Sequence, residues 1–171
     1  MANSFEVREG KGIGTKEMAE RVVNTVRIEK DVVINRPVEE VFAYSSNPEN
    51  YVKWEVHCRG SEITSEGPLG VGTTFTDEVQ FLGRRIKQIF EITEYEPNRK
   101  VSFKSISGPM GATGSFTYES VEGGTKVTVV GESDPRGLWR LIKPIMAREG
   151  KKEWESSLAT LKDLLEETSA S

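Results

Sequence analysis

Apolar and polar residues alternate through most of the chain between positions 25 and 134, and this period of two is typical of β-strands with one buried face. In the first stretch, about 25–35, Val26, Ile28 and Val32 share one face and charged residues share the other. The pattern predicts six further strands, at about 55–65, 72–82, 85–96, 99–108, 111–121 and 125–134. Short glycine-containing turns separate these strands, so neighbours in the sequence are expected to pair antiparallel.

Between the first two strands the period changes, and two short helices are predicted. Pro37 suits the first turn of the first helix, where its missing N–H needs no partner. The acidic residues Glu39 and Glu40 in that turn interact favourably with the helix dipole. A second short helix begins at Asn47-Pro48-Glu49 and ends near Trp54.

The last third of the chain predicts one long amphipathic helix beginning near Pro144, preceded by a separate turn at about 137–143. Its apolar side is formed by Met146, Gly150, Trp154, Leu158, Leu161, Leu164 and Leu165. Gly150 and Ser157 fill little volume on this buried side. We therefore expect an unfilled space between helix and sheet, and we place the function there.

These elements predict an α+β fold, in which a seven-stranded, curved antiparallel sheet carries two short helices and grips a long C-terminal helix. The expected layout is an N-terminal tail at 1–24, one ligand-binding domain at 25–167 and a C-terminal tail at 168–171. A length of 171 residues suits one domain with a real core.

Composition excludes several function classes. The 23 Lys and Arg residues are outnumbered by 27 Asp and Glu, without the clustered positive surface that nucleic acids require. One cysteine, Cys58, and one histidine, His57, exclude an internal disulfide and a His- or Cys-based zinc site. The sequence shows no signal peptide and no membrane-length apolar run, so we expect a cytoplasmic protein without metal, cofactor or integral membrane contact.

Six segments resemble the polyketide cyclase/dehydrase-like branch of the START superfamily, which includes the birch-pollen-allergen-like proteins. They are residues 33–44, 47–54, 70–75, 94–97, 124–127 and 161–166. The resemblance implies a helix-grip fold with a deep cavity between the sheet and the C-terminal helix. Members bind lipids, sterols, quinones, polyketides or plant hormones, and a few catalyse cyclisation or dehydration. The matching residues are turn, packing and capping residues, so no catalytic residue is carried over.

Asp77 is the main candidate for polar chemistry, because it alternates in phase with Phe75 and Val79. One interpretation is an Asp near a strand end that reaches water or an arginine. The other is a ligand anchor or general acid with a raised pKa. Glu62, in phase with Cys58, allows the same two interpretations.

His57 and Cys58 are adjacent on a predicted strand, so their side chains are expected on opposite faces. His57 is a weaker catalytic candidate, since a lone strand histidine is usually a surface or core residue, and Cys58 is expected to be a small buried hydrophobe. Ser105 and Tyr118 are the polar groups best placed to orient an apolar ligand, and Tyr118 joins Asp77 and His57 as a catalytic candidate.

Three hypotheses for function follow: a binder of a hydrophobic small molecule (lipid, quinone or polyketide-like), a polyketide cyclase or dehydratase, and a chaperone-like or quinone-delivery module that contacts a partner through Trp139. The ligand would enter between the 137–143 segment, the 67–72 loop and the 108–111 turn. The protein is expected to be a monomer or a homodimer. The residues expected to line its site are Trp54, Phe75, Asp77, Val79, Phe103, Ser105, Phe116, Tyr118, Ile142, Met146, Gly150 and Trp154.

Overall fold

The computed structural model describes residues 25–135 and 137–167, so both predicted tails and Arg136 lie outside the described residues. The strands are β1 Val26–Ile34, β2 Cys58–Ile63, β3 Thr74–Phe81, β4 Arg84–Glu96, β5 Lys100–Ser107, β6 Gly111–Val121 and β7 Gly124–Asp134. They form one antiparallel sheet in the order β1-β7-β6-β5-β4-β3-β2. Only the pairing of β1 with β7 joins strands that are distant in sequence.

The helices are α1 Val38–Ser45, α2 Tyr51–Trp54 and α3 Lys143–Glu167, with short 3₁₀ turns at Pro48–Asn50 and Gly137–Ile142. Asn47 caps the first 3₁₀ turn by accepting a hydrogen bond from the Glu49 N–H at 3.1 Å. The α+β helix-grip fold predicted from the sequence is confirmed. No helix in the described ranges is both long and apolar enough to cross a bilayer.

Helix α3 lies along the sheet and is fixed at its C-terminal end. Leu158, Leu161 and Leu165 are buried in the core. The Arg36 Nε–H donates to the Leu165 carbonyl at 2.8 Å, and the Asn35 N–H donates to the Glu166 carboxylate at 2.8 Å. These two bonds hold the C-terminal end of α3 against the end of β1.

The space under α3 does not come from the small residues of the helix, which is where the sequence placed it. A Cβ on Gly150 would lie 2.5 Å from Ile28 Cδ1, so this glycine lets the helix approach β1 closely. Ser157 accepts a hydrogen bond from the Val56 N–H at 3.0 Å. The open space lies instead over Gly131 of β7, where a Cβ would meet nothing nearer than Trp154 Nε1 at 4.0 Å.

Gly124 is required where β7 starts beside the end of β1. Its φ is +130°, and a Cβ there would collide with the Ile34 carbonyl oxygen and lie 2.8 Å from Asn35 Cα. We expect Gly124→Ala to lower the free energy of unfolding by about 3 kcal/mol, because the clashing atoms are backbone. Urea denaturation measures this loss.

Gly123→Ala is the matched control, since Gly123 also has a positive φ of +90° but no atom within 4 Å of its Cβ position. It should lose only the conformational part, about 1 kcal/mol. Equal losses for the two variants would contradict a close approach of the chain at Gly124.

Candidate functional site

A cavity of about 210 Å³ lies between the sheet and α3. Its apolar walls are mainly aromatic and aliphatic, formed by Ile28, Tyr51, Phe75, Val79, Phe90, Phe103, Met110, Val129 and Trp154. A cavity of about 150 Å³ accommodates one benzene molecule in a well-studied case. This cavity therefore has room for one ring with a short substituent, or for the ring end of a longer molecule.

The cavity lies toward the end of the sheet where β1 begins and β7 ends. Val26 pairs with Ser133, which pairs with Ala112, and all three line the cavity. The 108–111 turn joins strands at this same end and contributes Met110 to the wall. The 67–72 loop joins strands at the opposite end and contributes no lining residue. Its part in ligand entry stays a prediction.

A row of polar side chains crosses this apolar wall on three neighbouring strands. Ser61 of β2 pairs with Asp77 of β3, which pairs with Gln88 of β4. Directly paired residues share a face, so all three project toward the interior. The Cys58 thiol donates to Asp77 Oδ1 at 3.3 Å.

Two more polar residues reach the cavity from the turn before β2. Glu55 is 5% exposed, and its Oε2 lies 3.4 Å from His57 Nε2. Because β2 starts at Cys58 rather than at residue 55, His57 belongs to this turn and is not on the opposite strand face from Cys58. The strand-based prediction for this pair is therefore wrong.

Burial controls the charges of these groups. It raises the pKa of Asp77 to about 6, and it raises the pKa of Glu55 well above its usual range, with the nearby Asp77 charge adding to the effect. Burial and the charge of Arg59 lower the pKa of His57 to about 4. At neutral pH, His57 is therefore uncharged and Asp77 is mainly ionised, while burial favours the protonated form of Glu55.

Two of the polar groups that line the cavity lack hydrogen-bond partners among the described residues. They are His57 Nδ1 and Gln88 Oε1, and the Gln88 residue is only 6% exposed. A buried polar atom without a partner costs about 1–3 kcal/mol. Groups of this kind beside an apolar cavity are typical of a site that binds a ligand with a polar end.

The charged lining is acidic. Within residues 25–135 and 137–167, no lysine or arginine lines the cavity. Glu132 lines it too, but its half-exposed carboxylate is paired with Arg27 at 2.6 Å. In the same ranges, no three His, Cys, Asp or Glu side chains converge as metal ligands would.

The structure brings some of the predicted site residues together and separates others. Those that line the cavity are His57, Phe75, Asp77, Val79, Phe103 and Trp154. Trp54 and Phe116 belong to the core beside the cavity, with ring centroids 5.8 Å apart. Met146 is a buried residue of α3. Gly150 packs against β1, as described above.

Three predicted residues have other contacts. The Tyr118 hydroxyl is hydrogen-bonded to Ser45 Oγ at 2.9 Å, and burial raises its pKa. Ser105 Oγ accepts from the Ala112 N–H at 2.8 Å and so holds the β5–β6 turn. Ile142 borders a separate surface groove with Phe81 and Trp139. A part for these residues in binding stays a prediction.

Sequence reasoning missed Glu55, Gln88 and Tyr51. The sequence does indicate that Gln88 faces the interior, because it alternates in phase with Ile86, Phe90 and Ile92. It gives no such indication for Glu55, since nothing in the sequence marks the turn that directs this side chain inward. Glu62 is exposed, because a bulge between Cys58 and Gly60 shifts the phase of β2.

The surface proposed for a partner contains two strongly exposed side chains, Leu138 at 82% and Leu141 at 78%. Trp139 between them is only half-buried and packs near Phe81, with ring centroids 6.4 Å apart. Partner binding at this surface stays a prediction.

Cys58 is expected to be unreactive in the folded protein. It is 4% exposed, and burial together with the charges of Asp77 and Glu55 raises the pKa of its thiol. Since the thiolate is the reactive form, a disulfide reagent at pH 8 should label the native protein far more slowly than the urea-unfolded chain. Equal labelling rates would contradict the buried position of this thiol.

A family model described as polyketide cyclase / dehydrase and lipid transport matches residues 25–166. No curated protein matches the chain. The matched range covers every described helix and strand almost to the end of α3.

Solved structures share the fold at low sequence identity. The di-domain ARO/CYC StfQ from the steffimycin biosynthetic pathway has a TM-score of 0.74 at 15% identity, over 91% of this chain and 56% of its own length. The Zhui aromatase/cyclase from Streptomyces sp. R1128 has a TM-score of 0.68 at 15% identity, over 83% of this chain and 94% of its own. A START superfamily protein from Mycobacterium smegmatis has a TM-score of 0.70 at 14% identity, over 83% and 98%.

Proposed function

The chain belongs to the polyketide cyclase / dehydrase and lipid transport family, and from that premise we propose that its cavity binds a hydrophobic small molecule. The molecule, or its buried part, is about the size of one substituted ring. A lipid or quinone of greater length would keep its remainder outside the cavity.

The observation that carries this proposal is the open space between Gly131 and Trp154 inside an otherwise close-packed domain. Protein interiors rarely contain voids larger than a water molecule. Here about 210 Å³ is surrounded by aromatic rings that are themselves well packed, such as Phe75 stacked on Phe90 at 5.5 Å. Each 100 Å² of apolar ligand surface removed from water there contributes about 2.5 kcal/mol before the costs of association.

Native mass spectrometry of the freshly purified protein tests the proposal. We expect a bound molecule that is lost on denaturation and then identified in the organic extract. Titration with 2-phenylethanol provides a second readout, because Trp154 lines the cavity and its fluorescence should change on occupation. A ligand-free mass together with no response to 2-phenylethanol would overturn the proposal.

A second candidate function is catalysis of a cyclase or dehydratase type. The observation that favours it is a pair of neighbouring buried carboxyl groups: Asp77 has a pKa of about 6, and burial together with the Asp77 charge raises the pKa of Glu55 well above its usual range. Such a pair can supply a base and an acid to one substrate in a dry cavity. The Tyr118 hydroxyl is already bonded to Ser45 and is a weaker candidate.

For this candidate, the pH–rate profile with polyketide-like substrates is the test. Asp77→Asn should remove the acidic limb of the profile near pH 6, where the wild-type base is protonated. An acidic limb that persists unchanged in Asp77→Asn would exclude Asp77 as the base.

A further inference from the structure

We propose that the ligand of this cavity carries an ammonium group, which binds between Asp77, Glu55 and Gln88. The inference rests on the proposed function, because it names the ligand class for the same cavity. It predicts a cationic amine with an aromatic or aliphatic ring, and it predicts that carboxylate ligands such as fatty acids are rejected.

The charge of the cavity wall favours a cationic ligand. Two buried carboxyl groups, Glu55 and Asp77, line the cavity, and no lysine or arginine in the described ranges lines it with them. A buried carboxylate without a cationic partner is costly, whereas a ligand cation in contact with it recovers part of that cost. An anionic ligand would instead meet a like charge in a poorly solvated site.

The buried hydrogen-bonding atom without a partner also favours a ligand that donates hydrogen bonds. Gln88 Oε1 is an acceptor, is unpartnered, and belongs to the residue directly across from Asp77 on the neighbouring strand. The Asp77 carboxylate adds further acceptor positions beyond the one used by Cys58. An ammonium group has three donors and no acceptor, a hydroxyl has one donor, and a carboxylate has none.

The aromatic lining favours the same class of ligand. Tyr51, Phe75, Phe90 and Trp154 line the same cavity as the acidic groups. The faces of aromatic rings attract cations. A ring-bearing amine would use the apolar walls for its ring and the acidic side for its nitrogen.

Binding of a cation should release a proton. The titratable groups near Asp77 are Tyr51 on α2, Glu55 and His57 in the turn, and Cys58 on β2. Burial favours the uncharged form of these four groups, so a cation placed among them chiefly favours ionisation of the carboxyl group of Glu55. The proton of the Glu55 carboxylic acid then passes to the buffer.

Isothermal titration calorimetry with three ligands of one skeleton tests the proposal at pH 8. We expect 2-phenylethylamine to bind at least about tenfold more tightly than 2-phenylethanol, because a close ion pair in a buried site is worth more than about 1.4 kcal/mol. The carboxylate 3-phenylpropanoate should bind more weakly than the alcohol. Amine binding should also release a proton, seen as a heat that differs between phosphate and Tris buffers.

Asp77→Asn should abolish the preference for the amine, so that the amine and the alcohol bind this variant with affinities within about twofold of each other. The matched control is Glu78→Gln, since Glu78 is the next residue on β3, faces the other way and is paired with Arg85 at 2.9 Å. It should keep the preference.

The outcomes separate the two proposals. If the alcohol binds and the amine binds no more tightly, the ammonium assignment is overturned while the cavity remains a binding site. If none of the three ligands binds, the proposed function falls as well.

Discussion

Replacing Asp77 with asparagine is expected to raise the free energy of unfolding by about 3 kcal/mol at pH 8. The Asp77 pKa rises from its ordinary 3.8 to about 6 in the folded protein, because burial disfavours the carboxylate. Each pKa unit corresponds to about 1.4 kcal/mol between the two protonation states. Asparagine has the same shape and no charge, so the variant is free of this penalty.

The stability difference between Asp77→Asn and wild type should grow with pH, because the Asp77 pKa is raised in the folded protein. Between about pH 4 and pH 6 the native Asp77 holds its proton while the unfolded chain has lost it, so this group lowers stability as the pH rises. Above about pH 6 the loss is complete and constant. The stability gain of Asp77→Asn should therefore be near zero at pH 4 and reach its full size above pH 6.

His57 acts in the opposite direction. Its pKa is lowered from 6.5 to about 4, so the unfolded chain binds the extra proton and stability rises with pH across that window. Glu55 acts in the same direction as Asp77, because burial raises its pKa as well, so the wild type should lose stability as the pH rises from about 4 to 6. In Asp77→Asn, where the rise due to His57 opposes Glu55 alone, this loss should be smaller.

Urea denaturation of wild type and Asp77→Asn at pH 4, 5, 6 and 8 measures these effects, with Glu78→Gln as control on the outer face of the same strand. A variant less stable than wild type at pH 8, or a difference that does not change with pH, would contradict the buried ionised Asp77. A residue that weakens the fold while lining a cavity is typical of a functional site.

The second large effect is expected from filling the cavity. Gly131→Leu adds a side chain where the nearest neighbour of a Cβ is Trp154 Nε1 at 4.0 Å, and it removes nothing from the structure. The leucine occupies much of the space that a ring would take. We expect affinity for 2-phenylethanol to fall at least about 100-fold, the effect of losing about 3 kcal/mol of binding.

Gly60→Leu is the matched control, since Gly60 is also a strand glycine whose Cβ would make only an ordinary contact, with Glu78 Cβ at 3.8 Å. It should leave ligand binding unchanged. Both variants should remain folded, as circular dichroism would show. Undiminished binding by Gly131→Leu would mean that the ligand binds elsewhere.

Much of the fold could be predicted from the sequence because periodicity reports burial directly. The seven strands and the long helix are confirmed, and the buried residues Met146, Leu158 and Leu161 of α3 follow the predicted face. Which glycine faces an empty space depends on the neighbouring elements. Gly150 meets Ile28, whereas Gly131 meets almost nothing, and the sequence alone does not distinguish them.

The candidate site was only partly predictable for a related reason. Phe75, Asp77 and Val79 lie on one face of a regular strand, so alternation places all three correctly on the cavity wall. Glu55 and His57 precede a strand that starts later than its pattern indicates, so alternation says nothing about their direction.

For Tyr118, the sequence predicts the direction of the side chain but not its hydrogen-bond partner. Its inward face was predictable, and it is 4% exposed. Its hydroxyl, however, is bonded to Ser45 on α1, a partner 73 positions away in the sequence. Such a pairing becomes visible only when the helix and the sheet are packed together.

A crystal of the protein held under xenon pressure tests directly whether the cavity is open and apolar. Xenon binds apolar cavities without regard to hydrogen bonding or charge, so the result bears on the cavity alone. We expect an anomalous-scattering peak between Phe103, Val129 and Trp154, over Gly131. Side chains filling that volume, with no xenon peak there, would contradict this expectation.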